Sequence, residues 1–151
     1  MGKITPGKPV KLIIGFIFKE NKAFAKAKAM LIKRFGKIDF ISPAMPFTLT
    51  DYYREEFGSG LKRIFISFKK LIPPERICPI KILTNKIEDK LSSGTAQERV
   101  PASPIRQGNQ RAVNIDPGYL DLAKLVLAST KDYAHRVYLD KGIYAEITLF
   151  Y

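Results

Sequence analysis

The run VKLIIGFIF (Val10–Phe18) constrains this chain more than any other feature. It is apolar apart from Lys11 and too apolar for a half-exposed strand, so it predicts a central strand buried on both faces. The spacing then changes at once. Phe24, Ala27, Leu31 and Phe35 recur at steps of three and four, while Lys19, Lys22, Lys26 and Lys33 fall on another face. That switch predicts a helix from Glu20 to Phe35, with Gly36 as its stop. A buried strand followed directly by an amphipathic helix needs further strands and a second helix to close a core.

The rest of the chain supplies them. KIDFIS (Lys37–Ser42) alternates as a short strand, and Pro43 to Gly60 reads as loop. GLKRIFISFKKL (Gly60–Leu71) alternates again. Pro73-Pro74-Glu75 opens a second helix with core stripe Ile80, Leu83, Ile87 and Leu91. An interior proline costs about 3 kcal/mol, so the helix proper is expected to begin at Pro79. Ser92–Gln110 has no periodicity and reads as a surface loop. RAVNI (Arg111–Ile115) is a strand, Asp116-Pro117-Gly118 a turn, and Tyr119–Ser129 a largely buried helix. His135–Leu139 and Ile143–Tyr151 flank a tight turn at Asp140-Lys141-Gly142. The order β-α-β-β-α-β, then α-β-β, predicts an α+β fold: a ferredoxin-like, mainly antiparallel sheet with both helices of the βαββαβ core on one face, extended by a third helix and a terminal hairpin. Leu12, Ile14, Phe16, Phe24, Leu31, Phe65, Leu83, Ile87, Leu122, Val126, Ile143 and Ile147 are the expected core. Residues 1–151 read as a single domain, as 151 residues and 46% hydrophobic content allow.

The charge is unusual: 26 Lys and Arg against 14 Asp and Glu, a net +12. Residues 1–40 carry ten of those cations against Glu20 and Asp39, and nine of the ten are lysine. Such a face can attract polyanions. The shortage of arginine, which reads phosphate bidentately, makes nucleic acid the less favoured partner. No stretch approaches the roughly 20 apolar residues of a membrane span. Lys11 interrupts what would otherwise resemble a signal-peptide core, so the expectation is a cytoplasmic protein with no membrane partner. One cysteine, Cys78, and one histidine, His135, exclude an internal disulfide framework and any multi-histidine metal site.

Familiar catalytic motifs are absent. Gly58-Ser59-Gly60-Leu61-Lys62-Arg63 lacks the spacing of a phosphate loop. Asn85-Lys86-Ile87-Glu88 is close to the guanine-reading N-K-x-D, but it carries Glu for Asp and falls in mid-helix. Specific GTP binding is therefore not expected.

Several strings carry a resemblance: KPVKLIIGFIF at the start, FTLTDYYREEFGSGLKRIFISF (Phe47–Phe68), KILTNKIE (Lys81–Glu88) and RAVNIDPGYLDLAKLVLASTKDYAHRVYLDKGIYAEITLFY (Arg111–Tyr151). Together they resemble a bacterial and archaeal family built on a domain of unknown function, whose members often bear the label "GTP-binding protein". The resemblance implies a prokaryotic protein and no established activity. It also implies an aromatic- and proline-containing tail beyond Tyr151, a shorter Ser92–Gln110 segment and a helix former in place of Pro79.

The polar residues of these strings exceed what packing needs, and they fall at strand ends and on connections, where sites are built. The candidate ligand-binding set is Asp51, Lys62, Arg63, Asn114, Asp116, Lys131, His135, Arg136 and Glu146. Each has a plain structural role as an alternative. Asp116 can close an Asx turn, Asp132 can cap a helix, and Glu146 can pair with Lys62, Arg63 or Arg136. Read as a site, Lys62, Arg63, Lys131 and Arg136 would hold the phosphate of an anionic small molecule or nucleotide. Asp51, Asp116 and Glu146 would offer oxygen ligands to Mg²⁺, and His135 would move protons near neutral pH. The other reading is a non-catalytic module that binds protein or nucleic acid through its basic first helix or an exposed sheet edge. Convergence of the candidate side chains on one concavity separates the two.

Overall fold

A computed structural model describes residues 2–48, 60–93 and 111–151 of the chain. In chain order the elements are β1 (Lys11–Phe18), α1 (Asn21–Phe35), β2 (Ile38–Ile41), β3 (Met45–Pro46), β4 (Lys62–Phe68), a 3₁₀ turn (Pro74–Arg76), α2 (Ile77–Ser93), β5 (Val113–Leu120), β6 (Lys124–Ser129), β7 (Val137–Asp140) and β8 (Ile143–Phe150). The strands form one sheet in the order β2-β4-β1-β5-β6-β8-β7, with β3 also on β4. Every pairing is antiparallel. The first four positions, β2-β4-β1-β5, are the ferredoxin-like arrangement expected from the βαββαβ order. β1 is its central strand, and the hairpin β7–β8 turns at Lys141 and Gly142, both at positive φ (51° and 76°).

Both helices of the described chain pack on one face of the sheet. Alternate residues of β1 (Leu12, Ile14, Phe16 and Phe18) meet Ile66 and Phe68 of β4, Val113 and Ile115 of β5, and Ala27 and Leu31 of α1, all fully or nearly fully buried. Phe24 locks α1 down by stacking on Phe18 (centroids 4.8 Å apart) and meeting Phe16 edge-on (5.1 Å). Gly36 ends α1 at φ 87°, its N–H reaching Ile32 O at 2.8 Å. α2 begins earlier than the proline rule suggested. Pro79 sits in the first turn, where its missing N–H would have no helical partner, so the interior penalty does not arise.

The opposite face of β1 is only partly covered. Lys11, Ile13 and Gly15 are half-buried there, so the expectation of burial on both faces holds for one face and for Ile17. Lys11 is satisfied on that side by Asp39, which also accepts from Ser67 Oγ at 2.6 Å.

The expected third helix, Tyr119–Ser129, does not form. β5 runs straight through Asp116-Pro117-Gly118, and an Asp121 turn leads back into β6. The Asp121 carboxylate accepts from the N–H groups of Ala123 and Lys124 at 2.7 and 2.8 Å, the local bond by which Asp competes with helix. Leu122 lies at the tip of that turn, 99% exposed, and Ile147 is 61% exposed, so neither belongs to the core. Of the other expected core residues, Leu12, Ile14, Phe16, Leu31, Ile87, Val126 and Ile143 are buried, and Phe24, Phe65 and Leu83 are half-buried.

Candidate functional site

The site begins where the sheet divides. β5 pairs with β1 along its whole length, from Lys11↔Leu120 to Phe18↔Val113. With β6 it pairs only at Gly118–Leu120. β6 continues alongside β8 to Ser129↔Tyr144, so the two strands part and leave the first half of β5 with one open edge. Such an edge cannot be buried without partners for its backbone groups. α2 provides them. Glu88 accepts from the Ile115 N–H at 2.6 Å, and Lys81 donates from Nζ to the Ile115 carbonyl at 3.2 Å. Pro117 lies two residues on and presents its backbone to the same side, where it has no N–H to leave unpaired. Gly118 marks the point where β6 joins. A Cβ there would lie 2.4 Å from Val126 O and 2.6 Å from a Leu127 methyl.

The parting opens a cleft of about 690 Å³. Lys81, Asn85, Glu88 and Asp89 of α2 line one wall, with Arg111, Asn114 and Asp116 beside them. Ser129, Thr130 and Lys131 at the end of β6, together with Tyr133, Arg136 and Glu146, form the other wall. Arg63 reaches in from β4. Asn114 and Asp116 share the open face of β5, and Asn114 Nδ2 donates to the Asp116 carboxylate, whose other oxygen receives Lys81 at 3.2 Å. Across the cleft, Arg136 Nε donates to Glu146 at 2.6 Å. Its Nη1 reaches Ser129 Oγ at 2.7 Å and the Lys131 carbonyl at 3.0 Å, and the guanidinium lies 4.6 Å from the centre of the Tyr133 ring. His135 bonds the same Glu146 oxygen at 3.0 Å from an exposed position on the rim.

Two carboxyls here are pushed in opposite directions. Burial raises Glu88 to about 7, against the pull of Lys81 and the Ile115 N–H. Partial burial also works on Glu146, but the Arg136 guanidinium and His135 together outweigh it and hold that carboxyl below its ordinary value. Near neutral pH, then, Glu146 is held in its charged form while Glu88 exchanges a proton.

Of the candidates read from sequence, Arg63, Asn114, Asp116, Lys131, Arg136 and Glu146 line this cleft, and His135 touches it through Glu146. Lys62 does not. It alternates with Arg63 along β4, and its Nζ bonds Asn21 at 3.1 Å at the start of α1. Asp51 lies outside the described residues, as do Tyr52, Glu55 and residues 94–110 of the expected loop. Asp116 sits within a strand instead of closing a turn, and there is no helix for Asp132 to cap. Lys81 and Glu88 escaped the sequence reading. Their signal was present in KILTNKIE, where Lys81, Asn85 and Glu88 fall at i, i+4 and i+7 along one side of an otherwise apolar helix. The same placement accounts for the guanine-motif likeness: Glu88 is spent on the sheet backbone. Among the described residues no three His, Cys, Asp or Glu side chains gather in a way that could hold a metal ion.

The strings that surround the cleft decide the family. A family described as a domain of unknown function, DUF4416, matches residues 8–151. The chain belongs to the DUF4416 family. The match takes in every element of the fold and both walls of the cleft, so the divided sheet is part of the DUF4416 domain itself. The family description names no activity, and neither a GTP-binding label nor a bacterial or archaeal origin follows from it. Comparison with curated proteins and with solved structures returns no match.

Proposed function

We propose that the DUF4416 domain binds a small anionic molecule, of phosphate- or carboxylate-bearing type and up to nucleotide size, in the cleft between β5 and β6. Arg63 carries this reading. Its guanidinium lies over the Phe47 ring at 4.3 Å and near Phe65 at 5.8 Å, and among the described residues it has no carboxylate partner. Other cations of the cleft are ion-paired: Lys81 with Asp116, Arg111 with Glu88 and Arg136 with Glu146. A guanidinium resting on an aromatic ring, with no acid paired to it, keeps its fork of N–H donors for a ligand, and that fork suits carboxylate and phosphate. The cleft volume lies within the range of small-molecule sites.

The experiment is a thermal-shift screen of the wild-type chain with inorganic phosphate, pyrophosphate, ATP, GTP and di- and tricarboxylates, followed by calorimetric titration of each anion that stabilises. Binding should outlast the salt that screens surface attraction, because Arg63 is half-buried and a partly buried contact is screened less than an exposed one. Arg63→Gln should weaken it by about tenfold or more, the worth of a charge-assisted hydrogen bond. ATP and GTP should bind alike, since Glu88 of the NKIE string is taken by the Ile115 N–H and so is not free to read guanine. Absence of any stabilising anion, or an affinity untouched by Arg63→Gln, would overturn the proposal.

A further inference from the structure

A second concavity lies at the far edge of the sheet, away from the cleft. The end of α1 overhangs β2, the outermost strand, and leaves a groove of about 610 Å³. Ile32, Ile38, Phe40 and Ile41 make its apolar surface, and Lys28 and Lys37 stand on it. Ile32 on α1 and Phe40 and Ile41 on β2 are 40%, 55% and 47% exposed, which is costly for three large apolar side chains gathered beside a strand edge. The acid on this strand, Asp39, is engaged by Lys11 and Ser67, so Lys28 and Lys37 are not neutralised by it.

We infer that this groove docks a short acidic segment of a partner protein, with apolar side chains set on Ile32, Ile38 and Ile41 and carboxylates on Lys28 and Lys37. Charge selects the occupant. The groove belongs to the first forty residues, which hold ten cations against two acids. A second copy would bring like charge to like and be repelled, whereas an acidic segment is drawn in. The apolar surface selects against a nucleic acid, which offers phosphates but no aliphatic side chains. The pairing of β2 with β4 shifts register between Ile38 and Phe40, an irregularity of the kind that blunts an edge against a partner strand. Side chains therefore supply most of the recognition.

The test uses a capped, fluorescent heptapeptide alternating glutamate and valine, titrated into the whole chain by anisotropy, with amide and methyl resonances followed in parallel. Saturable binding is expected, with shifts confined to Ile32, Ile38, Phe40, Ile41 and their neighbours. Lys28→Glu and Lys37→Glu should each weaken it by roughly fivefold or more, and Ile32→Glu should weaken it likewise, with the circular dichroism of each variant unchanged. Four outcomes overturn the proposal: no saturable binding at millimolar peptide, equal binding of the lysine–valine counterpart, displacement of the peptide by oligothymidylate with shifts spread over the lysines of α1, or self-association in sedimentation with shifts at β2.

Discussion

At the scale of single residues, the buried pair Lys81 and Glu88 explains most about the cleft. Each occupies the place a neighbouring strand would fill, and each is at most 5% exposed. An ion taken from water at that depth is tolerated because it is hydrogen-bonded, yet Glu88 still titrates near 7. The consequence for stability has a definite sign. The folded chain keeps a proton on Glu88 up to about pH 7, whereas an ordinary Glu releases it near 4.5. The contribution is fully present below pH 4.5 and is lost as pH rises toward 7. Glu88→Gln keeps an acceptor for the Ile115 N–H and removes the titration. The variant should gain stability over wild type at pH 8, by on the order of 2–3 kcal/mol, and match it near pH 4. Denaturant melts across that range check it, and a wild-type advantage growing with pH would contradict the raised pKa. The i, i+4, i+7 spacing of Lys81, Asn85 and Glu88 was legible, but not their burial, because Lys and Glu on a helix ordinarily mark its solvent face. Only the missing β5–β6 pairing tells them apart, and that is a tertiary fact.

At the scale of elements, the strands and helices of the first half were legible because their periods are clean. The continuous run of β1, the three- and four-residue steps of α1 and the alternation of β4 each admit one reading. The stretch from Asp116 to Ser129 failed for the opposite reason. Pro117 and Gly118 are ordinary turn residues, and LVLA is as apolar as a buried helix. Here the proline stands at the open edge and the glycine at a close approach of β6, so both mark the sheet's division. Two substitutions separate the readings. Leu122→Ser should change stability by less than about 0.5 kcal/mol, since the side chain is in water, whereas a buried helix would lose several times that. Gly118→Ala should destabilise by roughly 1–3 kcal/mol, because the contacting atom is the Val126 carbonyl oxygen and backbone cannot yield as a side chain does. Leu31→Ala, in the core beneath α1, should cost roughly 2–5 kcal/mol. Chemical denaturation of the three variants in one buffer checks all of these values.

At the scale of the whole molecule, the sheet has two ends with different characters. One end carries the groove where the last turns of α1 meet β2. The other parts between β5 and β6, then carries on into the hairpin β7–β8, whose Arg136 and Glu146 complete the cleft. No helix among the described residues is long and apolar enough to cross a membrane. Net charge of +12 draws anions to every part of such a surface, so weak attraction alone says little about a site. What distinguishes the cleft is a guanidinium that lies over the Phe47 ring and is not matched by an acid among the described residues. The central claim therefore rests on Arg63, and the most direct measurement is a calorimetric titration of pyrophosphate into wild type and Arg63→Gln at high salt. Saturable binding to the wild type that falls by about tenfold or more in the variant, with an unchanged melting temperature, is the expected result. Equal binding by the two proteins, or heat that vanishes in both as salt is raised, would reduce the cleft to a structural network of ion pairs.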